Sequence, residues 1–342
     1  MSYMKKTICS LGRVEVQLCM QMLDAKSIVA LATCNKQLFA DANNAFAFKF
    51  VAVLRIREDE TKYENSLLRF HMNRMTTDFE IFLRKKSHIT YLSLWLLRHD
   101  DMTQITNTLQ SNQTLVRLDI TSVIFYDAGV DSLAHMLSEN KTLQTFLVRS
   151  TSLSDDQIKS LCAALQKNTT LTSLQMSNVG MSTRGATHVA NMLLTNKKLT
   201  QLNLDCNYMG DEGLFQIANA LHENATVQSL VINDNKITDA GVRHLAHALT
   251  LNKSVQILAL CDNNITGISL LSLAQACATI NTTLKWIDLK WSNFQMTDIM
   301  SFVKISKSFK TNVQFIVHRR KRFTKIDSML RNMNECKHIV QG

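Results

Sequence analysis

The sequence of 342 residues contains no proline and only 9 glycines. At average usage, a chain of this length carries about 17 prolines and about 24 glycines. The absence of proline excludes a collagen, a polyproline II linker and a proline-rich disordered scaffold. Hydrophobic residues make up 46% of the chain, which is ordinary for a folded protein. One or two compact units, or a repeat array, are therefore expected.

The sequence also lacks the marks of secretion and of a membrane span. Met1 to Cys9 is polar and basic, without the apolar run of a signal peptide. No stretch approaches the roughly 18 apolar residues of a membrane helix. The 8 cysteines include no Cys-x-x-Cys pair and lie in apolar segments, which favours buried reduced thiols over disulfides. We expect a cytoplasmic protein without a transmembrane segment.

The sequence has, instead, an internal period of 28 residues, which predicts a repeat array. A short apolar alternation of the form Leu-x-x-Leu-x-Leu is followed by a turn and then by apolar residues at helical spacing, such as Val130, Leu133, Ala134 and Leu137. Each unit is therefore predicted to be a strand, a turn, a helix and a turn. The alternation starts at Ile89, Leu115, Leu143, Leu171, Leu199, Val227, Val255, Leu284 and Val313.

Glycine and asparagine mark the ends of the predicted helices. Asparagine recurs three residues before each strand, as at Asn140 and Asn168. Because asparagine tolerates the left-handed conformation after a helix, we predict that it replaces the missing glycines there. The Asn-x-Thr and Asn-x-Ser sequences that arise at these turns are attributed to the repeat rather than to glycosylation. Helix entry is marked at one aligned position by Gly129, Gly185, Gly213 and Gly241.

Residues 199–207 read Leu-x-x-Leu-x-Leu-x-x-Asn in full. With this consensus, residues 89 to about 318 closely resemble the ribonuclease-inhibitor-like class of leucine-rich repeats. The resemblance implies an α/β fold: a curved horseshoe with parallel strands on its concave face and helices on its convex face. It also implies that the side-chain amides of Asn207, Asn235 and Asn263 hydrogen-bond the backbone of neighbouring repeats. Other units depart from the consensus at this slot, with Val123, Thr151, Val179 and Ser292.

Residues 1–50 do not fit the repeat and are predicted to form a small all-helical segment. The segment resembles an F-box at ten positions, although Gly12 and Ala25 stand where that family has proline. The resemblance implies contact with a Skp-type adaptor through Leu11, Leu23, Ile28, Leu31 and Leu38. A plain helical cap for the solenoid is the alternative. The matching positions are Leu11, Leu23, Asp24, Lys26, Ile28, Leu31, Ala32, Cys34, Lys36 and Leu38.

The remaining segments are assigned by their place beside the array. Residues 51–88 are predicted to be a helical linker and cap, with a helix from Glu64 to Lys86 that covers the open end of the first repeat. Residues 89–312 are the leucine-rich repeats. Residues 313–342 are the last partial repeat and a basic cap.

The formal charge of +10 lies at the two ends of the chain. Residues 1–88 carry +5, residues 89–312 carry zero and residues 313–342 carry +5. Since the array has no basic excess, we predict that it does not bind nucleic acid. The basic cluster from Arg319 to Lys325 fits a nuclear-localisation or acidic-lipid patch, or a solvated chain end.

Residues that point out of each strand on the concave face are the candidate partner contacts. Both ends of this face are aromatic and charged, and Trp, Tyr and Arg supply most hot spots of interfaces. The alternative is that the tail covers Trp286 and Phe315, and that the N-terminal helices cover Tyr91 and Trp95. The candidates are Trp286, Asp288, Lys290, Phe315 and Arg319, with Trp291 adjacent, at one end, and Tyr91, Trp95, Arg117, Asp119 and Arg149 at the other.

The sequence carries no catalytic or metal-binding motif, so we predict a non-enzymatic protein without cofactor or metal. We expect a monomer that binds a protein partner on its concave face and that acts as an F-box-type substrate receptor of a cullin-based ubiquitin ligase. The alternatives are a stand-alone binding or inhibitory protein, such as an effector exported by an intracellular bacterium into host cytosol, and an activator of small GTPases through Arg117 or Arg98.

Overall fold

The computed structural model describes residues 51–54, 68–71, 90–95, 99–279, 281–292, 294–306, 313–316 and 339–340. Within them a 12-stranded sheet keeps the order of the chain. All neighbouring strands are parallel except the first pair. The strands are β1 (Val51–Leu54), β2 (Leu68–His71), β3 (Tyr91–Trp95), β4 (Arg117–Thr121), β5 (Thr145–Arg149), β6 (Ser173–Ser177), β7 (Gln201–Asn203), β8 (Ser229–Val231), β9 (Ile257–Ala259), β10 (Trp286–Asp288), β11 (Gln314–Ile316) and β12 (Ile339–Val340).

A helix follows each strand from β3 to β10, which confirms the predicted alternation. Neighbouring helices contact each other along the array, and neighbouring strands pair. Packed helices need about 8–10 Å between axes, whereas paired strands need about 4.8 Å, so the stack curves with its strands inside. The helices are α1 (His99–Gln110), α2 (Asp127–Glu139), α3 (Asp155–Lys167), α4 (Thr183–Thr195), α5 (Gly210–Glu223), α6 (Asp239–Leu251), α7 (Gly267–Thr279) and α8 (Met296–Ser306).

One continuous hydrophobic core runs between the sheet and the helices, from Leu92 to Phe315. The apolar positions of the strand pattern, such as Leu202 and Leu204, are buried in it. They meet the predicted helix faces, such as Val130 and Leu133, from the other side. Among the described helices, none is long and apolar enough to cross a membrane.

The asparagines at the helix exits are buried and join each repeat to the one before it. The side chain of Asn224 accepts from the N–H groups of Thr226 and Val227, both at 2.9 Å. Its Nδ2 donates to the carbonyls of Leu193 at 2.8 Å and Asn196 at 3.2 Å in the preceding unit. The same contacts recur along the chain and form an asparagine ladder of Asn140, Asn168, Asn196, Asn224, Asn252 and Asn281.

The prediction of a left-handed conformation at these asparagines is wrong. Asn140 and Asn224 have φ of −66° and −86° with extended ψ. Asparagine is used there because its amide both accepts and donates, not because its backbone replaces glycine. The hydroxyl of Thr142 also donates to the carbonyl of Asn112 in the preceding unit at 3.3 Å, so the Asn-x-Thr pattern serves contacts between repeats.

Left-handed residues lie instead at one aligned position just after each strand from β4 to β10. The φ values at this position run from 45° to 63°, and no glycine occupies it, although Gly180, Gly210 and Lys236 are left-handed elsewhere. Ser, Asn and Asp tolerate this region, but a bulky residue such as Trp291 at φ 63° is unusual there. The set is Ser122, Ser150, Asn178, Cys206, Asp234, Asp262 and Trp291.

The glycines at helix entry allow close contact between neighbouring helices. A Cβ on Gly241 would lie 2.6 Å from Oδ1 of Asp211 and 3.1 Å from its Cα, so no side chain fits. The carboxylate of Asp211 accepts from the N–H of Thr238 at 2.7 Å and from its hydroxyl at 2.6 Å, and Thr238 caps α6. An acid at the start of one helix thus holds the capping residue of the next helix in place.

The ends of the array differ in part from the prediction. The helix predicted from Glu64 to Lys86 is wrong at Leu68–His71, which form β2 and pair with β3 in parallel. Leu68 and Phe70 stand opposite Leu92 and Leu94, so the strand continues the repeat's register and covers the edge of β3. Residues 1–50, with the F-box-like positions, lie outside the described residues.

The asparagine ladder gives the first testable prediction. Replacing Asn224 by Ala leaves the carbonyl of Leu193 and the N–H groups of Thr226 and Val227 without their partner. We expect Asn224→Ala to lower the free energy of unfolding by about 2–3 kcal/mol, measured by urea denaturation. The matched control is Asn219→Ala on the exposed face of the same helix, where alanine is the better helix former and stability should not fall. Equal losses in the two variants would contradict the role of the ladder.

Candidate functional site

The concave surface follows the predicted rows. Arg117 stands opposite Thr145 on the neighbouring strand, and Thr145 stands opposite Ser173. The same register continues from strand to strand through Ile257 to Trp286. Every second residue of each strand therefore points into the concave face, and each row is about 4.8 Å from the next. The centre of the face carries small polar side chains, and its two ends differ in chemistry.

The N-terminal end carries a set of contacts that we call the arginine cluster: Tyr91, Arg117, Asp119, Thr121 and Arg149. Arg149 Nη2 lies 2.5 Å from Asp119 Oδ2, and its Nε donates to Oδ1 at 3.3 Å. The hydroxyls of Tyr91 and Thr121 donate to the same carboxylate at 3.3 and 2.9 Å. The guanidinium of Arg117 lies 5.1 Å from the centre of the Tyr91 ring, a cation–π contact.

Asp119 is one of the predicted partner contacts, but it is buried, with only 2% of its surface exposed. Arg149 and Tyr91 cover it from the adjacent strands. Its carboxylate is therefore the anchor of the cluster, while Arg117 is exposed and Arg149 is partly so. Thr121, which the sequence prediction missed, completes the hydrogen bonds of this buried charge.

The C-terminal end carries a second group, which we call the tryptophan cluster: Ile257, Trp286, Asp288, Lys290 and Trp291. Trp286 and Ile257 stand opposite each other on paired strands and are 42% and 44% exposed. The ammonium of Lys290 lies 3.3 Å from Asp288 Oδ2. Ile257 was not among the predicted contacts, although its position in the row beside Trp286 is a signal for it. This end of the face is an aromatic and aliphatic patch beside an ion pair.

Phe315 was predicted to be a partner contact, and this is wrong, because it belongs to the core. It stands opposite Ile287, is fully buried and packs edge-to-face on Phe302 at 4.7 Å between ring centres. The pairing of Trp286 with Gln314 shows a step of 28 residues, whereas the apolar pattern suggested 29. The one-residue difference moves Phe315 to the opposite face of its strand.

The side chains of two predicted contacts, Trp95 and Arg319, lie outside the described part of the structure. Trp95 pairs with Thr121 in the sheet, but only its backbone is described. Arg319 and the basic cluster that follows it lie outside the described residues.

Side chains in the centre of the face cap the shortened strands. The N–H of Asn233 donates to Asp205 at 2.8 Å, and the N–H of Cys261 donates to Asn233 at 2.6 Å. Burial raises the pKa of Asp205 above its ordinary value, although hydrogen bonds from Asn233 and Asn203 oppose the shift. Burial, with the carboxylate of Asp288 beside it, raises the pKa of the Cys261 thiol to about 12.

The four described cysteines, Cys162, Cys206, Cys261 and Cys277, are free. Cys162 and Cys277 are buried as expected, and burial raises the pKa of each to about 12. Cys206 is exposed, which differs from the prediction, because it occupies the left-handed position after β7. Its pKa is raised by partial burial and by Asp205, Asp234 and Asp262, so its thiolate is disfavoured.

Residues 150–238 match the family model described as the TMOD/LMOD leucine-rich domain. The chain contains a leucine-rich repeat domain. Its structure is similar to that of leiomodin-1 actin-binding site 2 (ABS2), with 19% identity, a TM-score of 0.37, and coverage of 43% of this chain and 86% of that one. It is also similar to the tropomodulin C-terminal domain of Caenorhabditis elegans, with 16% identity, a TM-score of 0.38, and coverage of 43% and 90%. No curated protein matches the chain significantly.

The arginine cluster gives the second prediction, which concerns the coupling between Asp119 and Arg149. A double-mutant cycle of Asp119→Ala and Arg149→Ala is expected to give a coupling energy of about 1–2 kcal/mol in the free energy of unfolding, because the carboxylate is buried.

The matched control cycle uses Arg184 and Asp156, whose ion pair is 2.7 Å long but has side chains 63% and 71% exposed. We expect a coupling below about 0.5 kcal/mol for that pair. A coupling at Asp119 no larger than at Asp156 would show that the cluster is not held by its buried carboxylate.

Proposed function

We propose that this chain is a protein-binding scaffold whose partner contacts the concave face of the leucine-rich repeats. The observation that carries the proposal is the arginine cluster, in which buried Asp119 holds Arg149 and the ring of Tyr91 supports Arg117. Side chains that are already fixed lose less conformational entropy when a partner binds. The tryptophan cluster supplies a second contact region at the other end of the face, with the residue types that dominate interface energies.

A binding role fits this surface better than catalysis. The thiols of Cys162, Cys261 and Cys277 have pKa values of about 12 and are protonated at neutral pH, which disfavours them as nucleophiles. Arg117 lies over Tyr91 as one member of the arginine cluster, so we assign it to partner contact rather than to activation of a GTPase. The proposed scaffold needs no cofactor.

The F-box-like segment supports a finer proposal. We propose that residues 1–50 recruit a Skp-type adaptor, so that the partner held by the repeats becomes the substrate of a cullin-based ubiquitin ligase. The support is the resemblance at Leu11, Leu23, Ile28, Leu31 and Leu38. The proposal places the protein in the cytoplasm, with entry into the nucleus through the basic residues 319–325.

The adaptor proposal predicts a direct complex with a purified Skp-type adaptor. In a pull-down with the full chain, we expect retention that Leu11→Asp and Leu31→Asp each reduce at least about tenfold, since a buried interfacial leucine does not tolerate a carboxylate. The control is Leu251→Asp, on the exposed end of α6. Absence of retention, or retention unchanged by both variants, would leave a stand-alone binding or inhibitory protein, such as an exported bacterial effector.

Actin is the first defined partner to test on the concave face. Residues 150–238 match the TMOD/LMOD leucine-rich domain, and the leiomodin-1 region of similar structure is an actin-binding site. If this chain shares that partner, purified monomeric actin should bind the full chain in an equilibrium assay.

The concave-face proposal predicts how any such partner responds to variants. Arg117→Glu combined with Trp286→Ser is expected to weaken binding at least about tenfold, because both residues are exposed interface types. The control is Arg243→Glu combined with Ile268→Ser on the convex helices, which should bind like the unaltered chain. When actin does not bind, the same variants are compared as baits in affinity capture. A partner lost with the control pair and kept with the concave pair would overturn the proposal.

A further inference from the structure

The edge of the array where the helices end and the strands begin carries a row of exposed lysines, which we call the lysine row. It consists of Lys141, Lys167, Lys197, Lys198, Lys253 and Lys285. Each lies in the last turn of a helix or between that helix and the next strand. Between residues 113 and 292, the acids on this edge are Glu139 and Glu223. The net charge of zero over the array therefore hides a basic edge.

The opposite edge, where the helices begin, is acidic. The first turns of α2, α3, α5 and α6 carry acids, including Asp155, Asp211 and Asp239. Since all the helices follow parallel strands in the same sense, their positive dipole ends lie on that edge and their negative ends on the lysine row. The helix dipole favours acidic side chains on the edge where the helices begin and basic side chains on the edge where they end. The charged side chains of the array are therefore divided between two opposite edges.

Some lysines of the row also contact their own helix ends. Lys197 Nζ donates to the carbonyl of Leu194 at 3.0 Å, and Lys141 Nζ donates to that of Ser138 at 3.4 Å. An ammonium has three donors, and these side chains are exposed, so such a contact does not use up their capacity for an external anion.

Two apolar side chains lie in the same edge. Leu194 and Leu251, near the ends of α4 and α6, are 43% and 48% exposed. Leu194 lies three residues before Lys197, and Leu251 two residues before Lys253, so each leucine shares its turn with lysines of the row. Apolar side chains set among lysines are suited to a lipid surface, where the ammonium groups meet headgroups and the leucines enter the interface.

The composition of the row separates a membrane from a nucleic acid. On this edge of the array, the described residues between 113 and 292 include no arginine, phenylalanine, tyrosine or tryptophan, the side chains that bind phosphate bidentately or stack on bases. Lysine acts as a point charge and suits diffuse attraction to anionic headgroups. From Lys141 to Lys285 the row spans about 24 Å, estimated from five strand spacings of about 4.8 Å. That length covers several headgroups.

We propose that the lysine row is a docking surface for an anionic lipid membrane, with the acidic edge facing away. The proposal is independent of the concave-face partner, since the strands' exposed side chains lie on a different surface. It also assigns a function to the polarity of an array whose total charge is balanced.

The test is sedimentation of the full chain with vesicles of phosphatidylcholine alone or with about 30% phosphatidylserine. We expect binding only with phosphatidylserine, decreasing between 50 and 300 mM salt, since the attraction is screened. Lys197→Glu, Lys198→Glu and Lys253→Glu together should lower the bound fraction at least about tenfold. The matched control changes the net charge equally on other surfaces: Lys159→Glu, Lys236→Glu and Arg243→Glu.

The outcomes distinguish the proposal from total charge and from nucleic acid. Near-normal binding of the control triple variant, with loss in the row variant, supports the lysine row. Leu194→Ser with Leu251→Ser should weaken binding further than Met300→Ser on α8. Equal loss in both triple variants, absence of vesicle binding, or row-dependent binding of a DNA or RNA duplex in place of vesicles would overturn it. Far-ultraviolet circular dichroism and thermal unfolding establish that each variant is folded. A milder triple variant, with Lys197, Lys198 and Lys253 changed to Gln, provides a second measurement of vesicle binding.

Discussion

The buried amide at each helix exit is the constraint on which the rest of the array depends. A buried side-chain amide must form its hydrogen bonds within the protein. Asn224 does so with backbone groups of its own turn and of the preceding repeat. Each bond to the carbonyl of the preceding helix spans about 31 residues, as for Asn168 and Asn252. Because these bonds fix one repeat on the next, they also fix which strand residues stand side by side on the concave face.

The absence of proline follows in part from the same constraint. The two residues that donate to each ladder asparagine must keep their backbone N–H, as Thr142 and Leu143 do for Asn140. The parallel strands need their N–H groups for the ladder of the sheet, and proline lacks this donor. Glycine is scarce for a different reason, since the left-handed residues after the strands are Ser, Asn, Cys, Asp and Trp. Glycine is retained where a helix touches the preceding acid, as at Gly241, and at two left-handed positions away from the aligned one, Gly180 and Gly210.

Periodicity was enough to predict the strands β3 to β11, the helix faces and most rows of the concave surface, because a buried apolar position repeats at a fixed interval. It was not enough for Phe315, since the apolar pattern fits a step of either 28 or 29 residues. A shift of one residue moves each side chain of a strand to the opposite face of the sheet. The burial of Asp119 depends on long side chains from two other strands, and no local pattern records that contact. The left-handed positions were missed because cysteine and tryptophan carry no signature of that conformation.

Charge balance along the chain was a poor guide to charge on the surface, and the fold explains why. Every helix runs in the same sense, so acids favoured at helix starts collect on one edge and lysines favoured at helix ends collect on the other. A count over residues 89–312 adds the two edges together and returns zero. A charged partner, however, meets one edge at a time, since screening limits its attraction to about 8 Å at physiological ionic strength. In an array built from parallel helices, a sequence with no net charge is therefore compatible with one basic and one acidic edge. Which charged partner binds depends on the edge that it contacts.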